Sequence, residues 1–308
     1  MKNKPKLDPT VKAQLQAPSG HETEVQHLLE NPQKIASFMD FRVDWAFKFI
    51  LGHEEILVKL LNDILPVHVD SIEYLPNEIP VFSEKDKRSV FDVVCTNATT
   101  KEKFLCEMQQ YPDADMNDRL LFYGCSLLHR QIERGNDDYL LSPVYVICIS
   151  DYIRPHTAFI PQNQFFFHYT LKEKRLPQDE LTDKLQFYFL EIPRLEKMWE
   201  TAETNTERWC YLFGNLSNFA DVPKNQAGFE SVFAVADTRE LDNTELKEYL
   251  SAMLTDYDKH VYGKYNREEG MKEGRREVLR ALIDSGMPVS ELVQRLNLSE
   301  EEAKELAR

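Results

Sequence analysis

The chain has 308 residues, 42% of them hydrophobic, and a formal net charge of -15 at pH 7. This length can bury the core of one large domain or of two smaller ones. The acidic balance argues against broad, nonspecific attraction to nucleic acid, because phosphate contacts depend on lysine and arginine, but it leaves room for a local basic groove. It also suits a protein that binds cations or acts on a protein partner.

Apolar runs, cysteines and histidines exclude several classes of protein. No run approaches the roughly 20 apolar residues that cross a bilayer, and the start MKNKPKLDPTVKAQLQ has no apolar stretch typical of a secretory signal. The five cysteines form no CxxC pair, and the eight histidines form no HExxH arrangement. We therefore expect a cytoplasmic protein without a membrane span, without disulfides and without a histidine-ligated metal.

The N-terminal region is polar and rich in proline. Prolines at positions 5, 9, 18 and 32 predict a flexible arm over residues 1–35 that carries one short helix. Ordered structure is expected to begin at FMDFRVDWAFKFIL. After Gly52, apolar residues recur at helical spacing as far as Pro66, which predicts an amphipathic helix that ends there.

The next hundred residues predict a compact α/β core. VDSIEYL alternates as a strand does, and SVFDVVCT and EKFLCEMQQY are rich in β-branched and aromatic residues. PDADMNDRLLFYGCSLLHRQIERG predicts a helix that begins with acids and closes at Gly135. SPVYVICIS is almost wholly apolar, as expected of a strand covered on both faces. The predicted order is α, β, β, β, α, β.

Two further strands, NQFFFHYTL and LQFYFLEIP, are predicted before a mostly helical section. Near the C-terminus, NREEGMKEGRREVLRALIDSG, PVSELVQRLN and SEEEAKELAR predict three helices, and the last two resemble a helix-turn-helix in outline. We expect four regions: a flexible arm over 1–35, an α/β domain over 36–200, a helical extension over 201–262 and a small helical module over 263–308.

The last predicted helix is poorly suited to bind DNA. It would begin with Glu300, Glu301 and Glu302. Carboxylates complement a helix dipole at its N-terminus, but they repel phosphates. We therefore expect a packing or interaction module, with a protein partner or a second copy of the chain as its binding partner.

Two acids occupy the central pair of strands. Glu107 and Gln109 share one face of their strand, since side chains alternate. If the strands turn symmetrically about Thr99 and Thr100, Asp92 lies opposite Glu107, with Cβ atoms about 4.5 to 5.5 Å apart. Such a pair needs a proton or a cation between its carboxylates. Taken alone, each acid could instead be solvated on an exposed face.

A divalent cation would make the closeness of two carboxylates favourable. Mg²⁺ binds one or two carboxylates, retains several waters and takes further oxygens from phosphate. Such an ion lowers the pKa of a bound water and neutralises charge on a scissile phosphate. The acid pair therefore predicts metal-assisted hydrolysis of a phosphodiester.

The motifs together resemble a known superfamily of nucleases. FDVVC and EMQ, with 14 residues between Asp92 and Glu107, lie within an αβββαβ order and resemble the PD-(D/E)XK nucleases. DWAFKFILG, LLNDIL and DRLLFYG resemble its Rpn branch, described as recombination-promoting nucleases or putative transposases. The similarity covers roughly residues 40–200, and EEGMKEGRRE is similar to tails of that branch.

The resemblance implies a restriction-endonuclease-like αβββαβ core with a helical C-terminal extension, and a Mg²⁺-dependent DNA endonuclease in which Mn²⁺ is a substitute. Asp92 and Glu107 would be the metal ligands, completed by the backbone carbonyl of Met108. Gln109 stands where the wider superfamily has a lysine and carries no positive charge. It would orient the attacking water as a third catalytic residue.

The resemblance also implies a role for Asp44, which matches the first acidic position of the branch. Asp44 is a candidate third metal ligand, outer-sphere contact or helix orienter. The alternative is a helix cap or an ion pair with Lys48.

The missing lysine requires a cation from elsewhere. The candidates for binding DNA are Lys85, Lys87, Arg88, Arg119 and Tyr123. The alternatives are a solvated loop for the first three residues and a packed helical pair for the last two. The competing function is a catalytically silent nuclease fold that binds proteins or nucleic acid; it predicts that the two acids lie apart or pair with basic residues. RNA is an alternative substrate.

Overall fold

The computed structural model describes residues 6–15, 18, 20–77, 90–132, 140–156, 158–284 and 288. The chain divides into two compact units, residues 1–253 and 254–308. The first unit contains the sheet and the candidate site. The predicted division into four regions stays a prediction.

Regular structure in the described residues follows the predicted alternation. The helices of eight or more residues, together with two shorter ones, are α1 (Pro9–Gln14), α2 (Glu22–Glu30), α3 (Asp44–Leu51), α4 (Glu54–Ile64), α5 (Met116–His129), α6 (Asn205–Asn215), α7 (Glu230–Ala236) and α8 (Asn243–Asp284). The strands are β1 (Ile72–Tyr74), β2 (Val93–Asn97), β3 (Lys103–Gln109), β4 (Val144–Ser150), β5 (Phe166–Lys172) and β6 (Glu180–Glu191).

The strands form one mixed sheet in the order β1-β2-β3-β4-β6-β5. β1, β2 and β3 are antiparallel neighbours, β3, β4 and β6 run parallel, and β5 closes the far edge antiparallel to β6. The run from α4 to β4 reads α, β, β, β, α, β. This confirms the predicted core order and the restriction-endonuclease-like fold.

The β2–β3 ribbon has the predicted register. Val93 pairs with Cys106 and Thr96 with Lys103, so the ribbon is symmetric about residues 99 and 100. The side-chain oxygen of Asn97 accepts hydrogen bonds from two turn amides, and Lys101 has a φ of 63°, in the left-handed region. Because these contacts are all local, the turn itself fixes which residues of the two strands face each other.

Helix α5 covers the face of the sheet that carries Leu105 and Val146. Gly124 lets the helix approach closely, since a Cβ there would lie 2.7 Å from Leu185 Cδ1. Side chains alternate along β3, so Glu107 and Gln109 lie on this same face, beyond Leu105. The core therefore ends where the polar residues begin.

The N-terminal segment contains two helices where one was expected. Asp8 caps α1 by accepting a hydrogen bond from Thr10 N, and its own N–H donates to the Gly52 carbonyl. Val11 is buried. This capping and burial give α1 an anchor that the polar composition of the segment does not reveal.

Helix α8 runs without a break from Asn243 to Asp284. It includes the first of the three helices predicted near the C-terminus, and the other two lie outside the described residues. No helix in the described part of the chain is long and apolar enough to cross a membrane.

Candidate metal centre

The two acids of the ribbon are held side by side. Asp92 immediately precedes β2, and its backbone N–H donates to Glu107 Oε1 at 3.1 Å. In return, Met108 N–H donates to Asp92 Oδ2 at 2.9 Å. Each of these bonds ties a backbone N–H on one side of the hairpin to a carboxylate on the other side. The predicted juxtaposition of Asp92 and Glu107 is present.

Both carboxyl groups are withdrawn from water. Glu107 is 3% exposed, and the side chain of Asp92 is 16% exposed. Burial raises the pKa of Asp92 to about 6, although the positive charge of Lys48 opposes the rise. Burial, followed by the charge of Asp92, raises the pKa of Glu107 well above its ordinary value. Without a cation, burial therefore favours the protonated form of each carboxyl group.

Gln109 is oriented by its neighbours. Arg119 Nη2 on α5 donates to Gln109 Oε1 at 2.7 Å, and Gln109 Nε2 donates to Glu107 Oε2 at 3.2 Å. Arg119 also donates to Asp113 Oδ2 at 2.9 Å. A guanidinium only donates, so its bond identifies which amide atom faces it and leaves the NH₂ group for Glu107. The structure thus brings Arg119 into the group of predicted site residues.

Lys48 enters the site from α3. Its Nζ lies 2.6 Å from Asp44 Oδ1 and 3.7 Å from Asp92 Oδ1. Burial lowers the pKa of Lys48, but the charges of Asp92 and Asp44 outweigh that effect and raise it above its ordinary value. Sequence reasoning gave Lys48 only a helix ion pair with Asp44. Its four-residue spacing from Asp44 was visible, but the approach of α3 to the ribbon was not.

Asp44 lies close to the acid pair. Its charge and a side-chain hydrogen bond both raise the pKa of Asp92. It occupies the first turn of α3 and its side chain is 55% exposed. The ion pair with Lys48, which was the alternative for Asp44, is present, and Asp44 also interacts with Asp92.

The donor set fits a hard divalent cation. Met108 N–H faces Asp92, and in a strand the carbonyl of a residue lies on the same edge as its N–H, so the Met108 carbonyl faces Asp92 as well. Within the described ranges, no group of three or more histidine, cysteine, aspartate or glutamate side chains is arranged to hold a metal ion. Two carboxylates and one carbonyl, with water in the other positions, are the kind of set that Mg²⁺ prefers.

Tyr123 belongs to the hydrophobic core. Tyr123 is 6% exposed, and its ring packs edge-on against Phe91 in the core. Burial, and then the charge of Glu107, raise the pKa of its phenol. This placement matches the packing alternative. Lys85, Lys87 and Arg88 lie outside the described residues.

A second charged cluster lies at the same edge of the sheet. Gln109 is in register with Ser150 on β4, and Ser150 with Glu191 on β6. Glu191 is fully buried and accepts from Arg154 Nε at 2.9 Å and from Arg194 Nε at 2.6 Å. His156 Nε2 lies 2.9 Å from the same carboxylate.

Sequence reasoning missed this cluster. Its members are scattered along the chain, and no motif links them. Adjacent strands are about 4.8 Å apart, so Gln109 and Glu191 are separated by about 10 Å. The cluster brings additional positive charge to the C-terminal edge of the parallel strands, where α/β sheets commonly bind ligands.

The comparisons with known proteins agree with the fold. A model of the PD-(D/E)XK nuclease family transposases matches residues 41–265. No curated protein and no solved structure matches this chain. The matched region contains the complete sheet and all the residues of the candidate site that the structure describes. The family match confirms the resemblance in the motifs, and the chain belongs to the PD-(D/E)XK nuclease family transposases.

Proposed function

We propose that this protein is a Mg²⁺-dependent DNA endonuclease that hydrolyses phosphodiester bonds. The observation that carries the proposal is the locked pair of Asp92 and Glu107, whose carboxyl pKa values are both raised by burial. Buried acids this close together destabilise a fold unless a cation or a proton compensates them. Because the chain belongs to a nuclease superfamily, metal binding for phosphodiester hydrolysis would explain this otherwise unfavourable arrangement.

Asp92 and Glu107 would hold the cation, and the backbone carbonyl of Met108 would be the third ligand that the protein supplies. A bound divalent cation supplies Lewis acidity, which neutralises phosphate charge and lowers the pKa of a water molecule. Asp44 would act as an outer-sphere contact through its proximity to Asp92. Mn²⁺ would substitute for Mg²⁺, because both accept carboxylate, carbonyl and water oxygens.

Gln109 and Arg119 would position the reacting groups. The amide of Gln109, held by Arg119, keeps Glu107 in one orientation and would orient the attacking water. In hydrolysis the water oxygen bonds to phosphorus, and the bond from phosphorus to the leaving sugar oxygen breaks. The water gives one proton to solvent, and the leaving oxygen takes one from solvent.

DNA is the substrate that the family match favours. The formal net charge of -15 weakens nonspecific attraction to a polyanion, so binding would depend on local positive charge. Arg119, Arg154 and Arg194 would supply such charge at the edge of the sheet. RNA remains the alternative polymer, and a matched RNA substrate in the same assay separates the two.

A catalytically silent nuclease fold is the second candidate, and one observation favours it. Lys48 Nζ lies 3.7 Å from Asp92, so a basic residue already offsets part of the charge that a metal would offset. In this alternative, the protein binds a protein or a nucleic acid partner without cleaving it. Absence of both Mn²⁺ binding and cleavage would favour this candidate.

The test is plasmid nicking with Mg²⁺ or Mn²⁺ by the wild type and by Asp92→Asn and Glu107→Gln. We expect the wild type to convert supercoiled plasmid to open circles and both variants to lose at least about 100-fold in rate. Cleavage that survives both substitutions would reject the assigned site. If the wild type cleaves plasmid with neither Mg²⁺ nor Mn²⁺, the proposed function is rejected.

A further inference from the structure

Lys48 is buried more deeply than its ion pair with Asp44 requires. The side chain of Lys48 is 11% exposed, whereas that of Asp44 is 55% exposed. An exposed pair one helical turn apart would leave both charged groups in water. The ammonium group of Lys48 instead contacts two carboxylates, lying 2.6 Å from Asp44 Oδ1 and 3.7 Å from Asp92 Oδ1.

Packing of α3 holds Lys48 in this position. Trp45 stacks on Phe49 with ring centroids 4.6 Å apart, and Trp45 Nε1 donates to Glu248 Oε2. Phe47 is fully buried. Because the residues on both sides of Lys48 are anchored, its Cα position relative to β2 and β3 is set by the core rather than by its own ion pair.

The ammonium group retains donor capacity. Lysine carries three N–H donors, and in the described part of the chain Asp44 is the hydrogen-bond acceptor found for Lys48 Nζ. The distance of 3.7 Å to Asp92 Oδ1 is an electrostatic contact and is too long for a hydrogen bond. An oxygen atom of a ligand can therefore receive a hydrogen bond from Lys48 without displacing a direct bond to Asp92.

The charges of the site leave room for both Lys48 and a divalent cation. Asp44, Asp92 and Glu107 carry three negative charges when ionised, and Lys48 offsets one of them. The remaining two match one divalent cation. Lys48 therefore leaves two negative charges for a divalent cation to balance, and it adds positive charge where an incoming phosphate would need it.

Arg119 is less able to provide that charge. Its Nη1 and Nη2 atoms already donate to Asp113 and to the amide oxygen of Gln109, and its Nε atom is buried away from solvent. Releasing the guanidinium to bind a phosphate would break the contact that orients Gln109. Gln109 itself is neutral.

We propose that Lys48 is a catalytic residue whose ammonium group donates a hydrogen bond to a non-bridging oxygen of the scissile phosphate. This inference rests on the proposed nuclease function. The negative charge on the phosphate oxygens must be stabilised in the transition state, and a positioned donor in a partly buried site stabilises it more strongly than water does. The protons and bonds of the hydrolysis remain as described above.

The test compares Lys48→Met, Lys48→Arg and Asp44→Asn with a matched control, Lys59→Met. Lys59 also pairs with an acid one turn away, Asp63 at 2.8 Å, but on α4. We expect Lys48→Met to lower kcat by about 100- to 1,000-fold with little change in KM. Lys59→Met should stay within about twofold of the wild type.

Metal binding without DNA should change in the opposite direction to cleavage in Lys48→Met. Lys48→Met removes a positive charge beside Asp92, so Mn²⁺ titrated into the DNA-free protein should bind severalfold more tightly. A residue with a structural role alone would lose metal binding and cleavage together. Lys48→Arg should recover part of kcat. A further variant, Lys48→Ala, leaves space for a small amine, so ammonium or methylamine should partly rescue its cleavage.

The outcomes separate this inference from the proposed function. Cleavage by the wild type that is lost in Asp92→Asn but retained within about threefold in Lys48→Met would overturn the role of Lys48 alone. Equal loss of kcat in Lys48→Met and Asp44→Asn, without amine rescue, would reduce Lys48 to the ion-pair partner of Asp44. A wild type that cleaves nothing would overturn both.

Discussion

Arg119 Nη2 lies 2.7 Å from Gln109 Oε1, and this contact turns the amide NH₂ of Gln109 toward Glu107. A residue on α5 thereby determines the orientation of a neutral side chain on β3. The charge of Arg119 also lowers the pKa of Glu107, against the larger effect of burial. Arg119 acts on the carboxylate pair through both hydrogen bonding and charge.

We predict that Arg119→Met slows cleavage by about tenfold or more, since a hydrogen bond to a charged group contributes about 1.5 to 3 kcal/mol. The control is Arg130→Met at the end of the same helix, 11 residues or about 16 Å away. Single-turnover cleavage rates in Mn²⁺ would show the difference. Equal rates in the two variants would contradict the orienting role of Arg119.

The acid pair should destabilise the metal-free fold at neutral pH. The folded-state pKa of Asp92 is raised to about 6, above its unfolded value. The protonated carboxyl group therefore contributes favourably to the free energy of unfolding, and this contribution is fully present at low pH. That contribution is lost as pH rises through about 6, where the folded protein must release a proton from a buried site. Glu107, with its pKa also raised, acts in the same direction.

Asp92→Asn should therefore raise the free energy of unfolding of the metal-free protein at pH 7.5 by roughly 1 to 3 kcal/mol, and by less at pH 5. Urea denaturation in EDTA at the two pH values measures the change. Asp70→Asn, at an exposed pair with His68, is the control and should show little change at pH 7.5. A loss of stability in Asp92→Asn at pH 7.5 would contradict the prediction.

Divalent cations should restore that stability and should do so more strongly at pH 7.5 than at pH 5.5. Metal ligands must lose their protons, so binding releases protons and weakens as pH falls. At 100 times its dissociation constant, a cation stabilises by about 2.7 kcal/mol. Thermal melts with Mg²⁺ or Mn²⁺ should show the shift in the wild type and in Glu180→Gln, an exposed control on β6. A shift of the same size in Glu107→Gln would place the metal elsewhere.

At Gly52 the chain packs closely against α1 and α3, and there is no space for a side chain. A Cβ atom there would lie 2.8 Å from the Lys48 carbonyl oxygen and 2.7 Å from Val11 Cγ1. Gly52→Ala should therefore lower the free energy of unfolding by roughly 1 to 3 kcal/mol.

Gly270→Ala is the matched control, because Gly270 lies within α8 and a Cβ there would meet no atom within 4 Å. Helix propensity should raise its stability by about 0.8 to 1 kcal/mol. Urea midpoints of the two variants should therefore shift in opposite directions. A stabilised Gly52→Ala would show that α1 and α3 can move apart at little cost.

The sequence determined the core order and the position of the acid pair because both depend on local signals. Strand and helix periodicities are read over a few residues, and the tight turn at Asn97 and Lys101 fixes the register of the ribbon. Once that register is set, Asp92 must meet Glu107. No long-range packing was needed to predict it.

Only the tertiary structure decided which basic side chains lie next to those acids. Lys48 and Asp92 are 44 residues apart, and their proximity depends on how buried aromatic residues seat α3. The bond from Arg119 to Gln109 likewise depends on the packing of α5 over the sheet, and the Arg154 and Glu191 pair on the placement of a loop against β6. Side-chain contacts of this kind follow from the packing of whole elements, and no short stretch of sequence encodes that packing.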